Sequence, residues 1–190
     1  MNICVFLPNW VGDLTMATPT LRALRRRLDG RTRIVGIMKP YLADVLAGTP
    51  WLDEVWFFDR HSKSPELRAS ALARRLRRGR FDLCVLLTND FLSALIAWLG
   101  RSAERIGYAR YRRGPLLTRK LHPLRSRGRI VPSSTLDYYL QIAYALGCPP
   151  EPPVMEIATT ADEERRADRV WTSLGLRPGP DRRDHETLPG

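Results

Sequence analysis

The chain has 190 residues, 44% hydrophobic and 27% charged, a globular balance with room for a full core that excludes wholesale disorder. Its 31 Lys plus Arg against 20 Asp plus Glu leave a net charge of +11, which asks for an acidic partner. No apolar run reaches the roughly 18 residues of a membrane-spanning helix, and Met1–Leu7 carries neither a basic leader nor a small-residue cleavage site, so a cytoplasmic chain is expected. Cys4, Cys84 and Cys148 are an odd, widely spaced set without CxxC spacing, which predicts buried free thiols. His61, His122 and His185 are equally scattered, and no metal site is expected where ligands do not cluster.

In chain order, the apolar run Asn2–Leu7 predicts a first strand, ended by Pro8. A helix is expected over Leu14–Leu28, with Leu21, Leu24 and Leu28 on one face and Arg22, Arg25, Arg26 and Arg27 on the other. Arg33–Ile37 and Glu54–Phe58 read as strands around a short helix at Pro40–Ala47, where Pro occupies the opening position. Ser64-Pro65-Glu66 opens a helix that runs to Gly79. Phe81–Leu87 is apolar enough to be covered on both faces, Phe91–Leu99 is helical, and Arg105–Tyr108 is a fifth strand. Alternating strands and helices imply parallel pairing with right-handed crossovers, an α/β Rossmann-like sheet flanked by helices. Residues 109–135, rich in Arg, Gly and Pro, read as a long functional loop or lid. A helix follows over Leu136–Leu146, then a stiff connector at Pro149–Pro153, a helix over Asp162–Leu174, and a tail without core pattern that reads as disordered.

In open parallel sheets, ligands bind beyond the carboxyl ends of the strands. The first such crevice is Pro8-Asn9-Trp10-Val11-Gly12-Asp13. Gly12 permits close backbone approach or positive φ, and Asp13 offers a carboxylate at the mouth of the sheet. The string is not GxGxxG, so a dinucleotide fingerprint is absent. Two readings of Asp13 stand side by side. It caps the helix that follows, or Thr18-Pro19 starts the regular helix, residues 13–17 form an irregular turn, and Asp13 is released for chemistry.

Three blocks, PNWVGDLTMATPTLRALRR, YLADVLAGTPWLDEVWFFDR and RIGYARYRRGPLLT, occur in the order found in the lipopolysaccharide heptosyltransferases of glycosyltransferase family 9, which residues 1–150 resemble. The resemblance implies a GT-B architecture, two Rossmann-like domains facing across a cleft. The acceptor would lie on the N-terminal domain and ADP-heptose, a substrate rather than a cofactor, mainly on the C-terminal one. It implies that Asp13, beside Gly12, is the general base that deprotonates the attacking acceptor hydroxyl, with inversion at the anomeric carbon. Such a base must come within about 3 Å of the proton it takes. No metal is implied. Asn9 and Gly12 become acceptor-binding candidates, as does Asn89 in Leu87-Thr88-Asn89-Asp90, whose alternative reading is the N-cap of the next helix. The family often has Pro-Asn-Ser there, so Thr88 and Asp90 depart from its pattern.

Between Arg101 and Arg129 lie ten Lys or Arg and one acid, Glu104. By the same resemblance the acceptor, the lipid-A core oligosaccharide, carries phosphates and carboxylates that Arg110, Arg112 and Arg113 would grip, unless the run is a solvated surface. Arg74, Arg75, Arg77, Arg78 and Arg80 end a helix, where cations suit its dipole and could also meet the anionic inner-membrane surface. The competing class is a nucleic-acid binder, since basicity is its first footprint; no helix-turn-helix, zinc-finger or RRM signature supports it, and no nucleic-acid partner is expected. A third is a catalytically dead acceptor-binding module.

Family members are longer, and a Gly-rich block opening their second domain should follow Leu176, where this chain reads RPGPDRRDHETLPG. The resulting division is an acceptor-binding domain over 1–150, a connector and helix over 151–176 directed toward a missing C-terminal domain, and a disordered tail over 177–190. The chain then reads as truncated and inactive by itself.

Overall fold

A computed structural model describes residues 1–28, 30–126 and 129–176; the tail expected to be disordered lies outside these. The chain begins with strand β1 (Asn2–Phe6), then helices α1 (Val11–Met16) and α2 (Thr18–Arg27), strand β2 (Arg33–Met38), helix α3 (Ala43–Leu46) and strand β3 (Glu54–Phe57). Helix α4 (Ala69–Gly79), strand β4 (Leu83–Leu86), helix α5 (Phe91–Leu99) and strand β5 (Glu104–Tyr108) follow. Strand β6 (Arg119–Leu121), the short strands β7 (Arg125–Ser126) and β8 (Arg129–Ile130), and helices α6 (Thr135–Ala145) and α7 (Ala161–Ser173) complete it.

Six strands form one parallel sheet in the order β3-β2-β1-β4-β5-β6. Successive side chains of β1 point to opposite faces. Ile3 and Val5 join a core with Leu14, Leu21 and Ile142, while Cys4 and Phe6 join one with Trp56, Leu72 and Ile96. Helices therefore cover both faces, which is why the central strand β4 is apolar throughout and β1 from Ile3 onward. The strand order reverses between β1 and β4, and a sheet of this kind opens its crevice there. The three cysteines are buried and free.

The expected helix at Leu14–Leu28 is two helices meeting at Ala17, and residues 11–16 are regular rather than irregular. Pro19 has no N–H to give the Thr15 carbonyl, and Thr18 Oγ1 bonds that oxygen instead at 2.7 Å. Ser64-Pro65 opens only a 3-10 turn, Pro65–Leu67; the α-helix starts at Ala69. The region expected to be a long functional loop or lid contains β6, parallel to β5. Its Arg119-Lys120-Leu121 has no apolar alternation because it is an edge strand, where charges blunt pairing with other chains.

After α6 the chain returns across α2 as an anchored strap. Arg22, on the buried face of α2, donates to Glu151 at 2.5 Å, to Glu156 at 2.8 Å and to the Pro152 and Val154 carbonyls. Burial works against this charge, but the two carboxylates outweigh it and raise the Arg22 pKa. The Glu156 N–H donates to Thr18 Oγ1 at 3.0 Å. Helix α7 begins with a reciprocal capping box between Thr160 and Glu163, and none of its residues is buried.

Candidate functional site

Two loops meet at the reversal of strand order, one after β1 and one after β4. In the first, the cap of α1 is Trp10, not Asp13, and it lends no side-chain hydrogen bond. Asp13 sits one position further into the first turn than Gly12, partly exposed. Its carboxylate makes no hydrogen bond or ion pair among the described residues. Gly12 is ordinary helix rather than a positive-φ position, and a Cβ there would meet nothing within 4 Å. What Gly12 provides is open space beside the carboxylate. Asn9 is exposed and its carbonyl accepts from the Tyr41 hydroxyl.

In the second loop the helix cap is Asp90, whose carboxylate accepts from Ser93 N–H at 2.8 Å. Asn89 is therefore free of the capping role. Its Oδ1 accepts from the Tyr138 hydroxyl at 2.9 Å and from Arg113 Nη2 at 3.1 Å. Tyr138, on α6, stacks on Tyr108 with ring centroids 3.7 Å apart. Tyr138 has its pKa raised, chiefly by burial, while a hydrogen-bonding Arg110 pulls the other way. Burial, with the neighbouring Tyr138, pushes Tyr108 up to about 12. Tyr139 is raised as well, first by burial and then by the charge of Asp13 and by Tyr138.

The three candidate arginines separate. Arg112 is exposed at the tip of a tight turn where both Tyr111 and Arg112 have positive φ, 49° and 61°. Arg110 is half-buried, its guanidinium over the Tyr111 ring. Arg113 is not on the surface at all. It is fully buried, and its guanidinium is consumed by the Tyr108 and Thr88 carbonyls and Asn89. Burial lowers its pKa from the ordinary guanidinium value. The expectation that Arg113 grips an acceptor anion directly is corrected by this enclosure, which leaves no donor facing outward.

Residues missed in the sequence supply the cationic wall. A cavity of about 270 Å³ beyond the ends of β1, β2 and β4 is lined by Asn9, Trp10, Lys39, Arg60, His61 and Asp90, among others. Lys39 directly follows β2, and Arg60 and His61 lie in the loop after β3; strand-end position was the available signal. Among the described residues no three His, Cys, Asp or Glu gather as a metal site, and no helix is long and apolar enough to cross a membrane.

No family model matches the chain. In sequence it is 27% identical over 149 residues to lipopolysaccharide heptosyltransferase 2 of Escherichia coli K12, covering 77% of this chain and 41% of that protein. The chain is similar to lipopolysaccharide heptosyltransferases of glycosyltransferase family 9. This heptosyltransferase-like chain has the same fold as the solved E. coli ADP-heptose heptosyltransferase II, with TM-score 0.68 and 22% identity over 93% of this chain and 51% of that one. A glycosyl transferase family 9 structure from Veillonella parvula gives TM-score 0.75 at 21% identity, over 93% of this chain and 50% of that one. The chain thus spans about half the length of these relatives.

Proposed function

We propose that the chain forms the acceptor side of a heptosyl-transfer site, in which heptose passes from ADP-heptose to the inner core of lipopolysaccharide with inversion. Asp13 is the general base. The observation that carries this reading is an unengaged, partly exposed carboxylate beside a bare Gly12, at the reversal of strand order where a sugar hydroxyl can approach. Asn9, Gly12, Asn89, Arg110 and Arg112 line the acceptor side, and Lys39 and Arg60 attract its phosphates and carboxylates. Residues 1–150 serve as the acceptor domain, and 151–176 lead toward a donor-binding domain.

A lipid-borne acceptor places the reaction at the cytoplasmic face of an anionic inner membrane. The exposed Arg74, Arg77 and Arg78 on α4, with Trp98 and Leu99 exposed on the adjoining α5, support peripheral contact there.

The test incubates the chain with ADP-heptose and a heptose-acceptor core oligosaccharide. Acceptor binding that weakens in Asp13→Ala is the expected result. Binding unchanged in Asp13→Ala would overturn the role of that carboxylate, and tight, steeply salt-dependent binding to random duplex DNA with indifference to the oligosaccharide would overturn the transferase reading.

A further inference from the structure

The side-chain amide of Asn89 has an oxygen that accepts and a nitrogen that donates, and the surrounding network decides which end faces outward. Here the oxygen is taken from within, by Arg113 Nη2 at 3.1 Å and the Tyr138 hydroxyl at 2.9 Å. A guanidinium offers donors only, so the opposite flip would set the Asn89 N–H against the Arg113 N–H. Arg113 cannot turn aside. It is fully buried, its Nε donates to the Tyr108 carbonyl at 2.8 Å, and its Nη1 donates to the Thr88 carbonyl. The guanidinium also lies against β5 at Gly107, where a Cβ would sit 3.0 Å from Nη2. A larger residue at 107 would displace it.

Asn89 Nδ2 has no partner among the described residues. The buried side-chain polar atoms without a partner among those residues are Thr20 Oγ1 and Ser102 Oγ, so Asn89 Nδ2 is open to solvent. We propose that Arg113 is a positioning residue that locks Asn89 with its N–H donor outward, so that the crevice reads an oxygen lone pair of the acceptor sugar at this point. Arg113 acts through Asn89 and does not touch the ligand. This rests on the crevice being the acceptor site, and it changes what that site recognises. A neutral amide donor selects an accepting oxygen without the desolvation cost of presenting a bare charge.

Asn2, Asn9, Asn89 and Gln141 are the chain's side-chain amides, so the amide pair of Asn89 is identified in a 15N-labelled sample by its loss in Asn89→Asp. That variant keeps both inward hydrogen bonds, now to a carboxylate, but has no N–H to offer. In the wild-type chain the Asn89 pair exchanges with water as an exposed amide does, and shifts when deacylated lipid-A core oligosaccharide is added. Asn89→Asp melts no lower than wild type yet binds the oligosaccharide at least tenfold more weakly. Arg113→Lys, which replaces the fork by a point donor, slows exchange of the Asn89 pair at least tenfold as the amide turns inward, and weakens binding to match. Tyr138→Phe leaves Arg113 in place and the pair freely exchanging, which keeps the test open if Arg113→Lys does not fold.

A protected Asn89 pair in the wild type or in Tyr138→Phe would overturn the assignment, as would Arg113→Lys with unchanged exchange and affinity. Asn89→Asp binding as well as wild type would remove the donor role. A wild-type chain that binds no oligosaccharide, while its Asn89 pair behaves as described, upholds the lock and overturns the acceptor reading instead.

Discussion

Arg22 and Glu151 meet at 2.5 Å across 129 residues of sequence, and the Glu151 side chain is 2% exposed. The pair clamps the strap after α6 onto α2. Arg26 also reaches Glu151, from a side chain 61% exposed. Removing Arg22 alone leaves a buried carboxylate with one solvated partner. Arg22→Met is expected to destabilise the chain by about 3 kcal/mol, at the low end for breaking a buried pair because Arg26 remains. Urea unfolding reads this as a lower midpoint at unchanged slope. Adding Glu151→Leu should recover part of the loss, since no uncompensated charge then remains buried.

A second ion pair gives the chain a defined acid limb. Asp53 Oδ2 accepts from Arg25 at 2.7 Å and from the Ile34 N–H at 2.6 Å. Burial alone would raise its pKa, but these hydrogen bonds outweigh it and hold the carboxyl below its usual range. Glu54 is held low as well, by hydrogen bonds from Trp56 and Arg33. A carboxyl with a lower pKa folded than unfolded stabilises fully above its unfolded value, about 4, and its contribution disappears as pH falls through the folded value. Asp53→Asn is therefore expected to lower stability at pH 7 and to flatten the decline below about pH 4. Thermal melts of the two proteins from pH 7 to pH 3 should converge at the acid end; parallel curves would show that Asp53 carries no such linkage.

The alternation of apolar runs with helical spacing was enough to read the sheet and its flanking helices, because strands covered on both faces are apolar along their whole length. β6 escaped because Arg119 and Lys120 are exposed on an edge strand, where hydrophobic pattern carries no information. Asp13 was legible as a strand-end carboxylate beside a glycine. Arg113 was misread, because an arginine inside a basic run looks like its neighbours. Only the close approach at Gly107 and the inward-facing carbonyls of Thr88 and Tyr108 distinguish it. Lys39, Arg60 and His61 come together through parallel pairing of β1, β2 and β3, a tertiary effect whose sole trace in the sequence is their position at strand ends.

Gly48 marks where the strap crosses the loop after α3. A Cβ there would stand 2.1 Å from the Ala158 carbonyl oxygen and 2.5 Å from that of Thr159. Both are backbone atoms, so relief requires the strap to lift. Gly48→Ala is expected to cost about 1–3 kcal/mol, as overpacking does, and to expose residues 152–160 to protease while the sheet stays protected. Unchanged cleavage and melting would show that the strap is not seated by this contact.

The basic face of α4 makes a prediction independent of catalysis. Leu72, Ala73 and Leu76 bury one side of the helix, which turns Arg74, Arg77 and Arg78 to solvent. Arg75 is spent differently, stacked 3.8 Å from the Trp56 ring centroid. Gly100, at the end of α5, lies close against Leu76 of α4, and Trp98 and Leu99 of α5 are about half exposed. An exposed indole and leucine on one helix and exposed cations on the helix packed against it suit a bilayer interface, where apolar groups enter and charges meet headgroups. Each arginine near an anionic surface is worth about 1 kcal/mol. The chain should therefore sediment with vesicles containing phosphatidylglycerol and not with pure phosphatidylcholine. Arg77→Glu with Arg78→Glu should weaken that binding at least tenfold, and Trp98→Ala should weaken the part that survives high salt. Equal binding to neutral vesicles, or a double variant that binds as wild type, would show that this face is solvated surface.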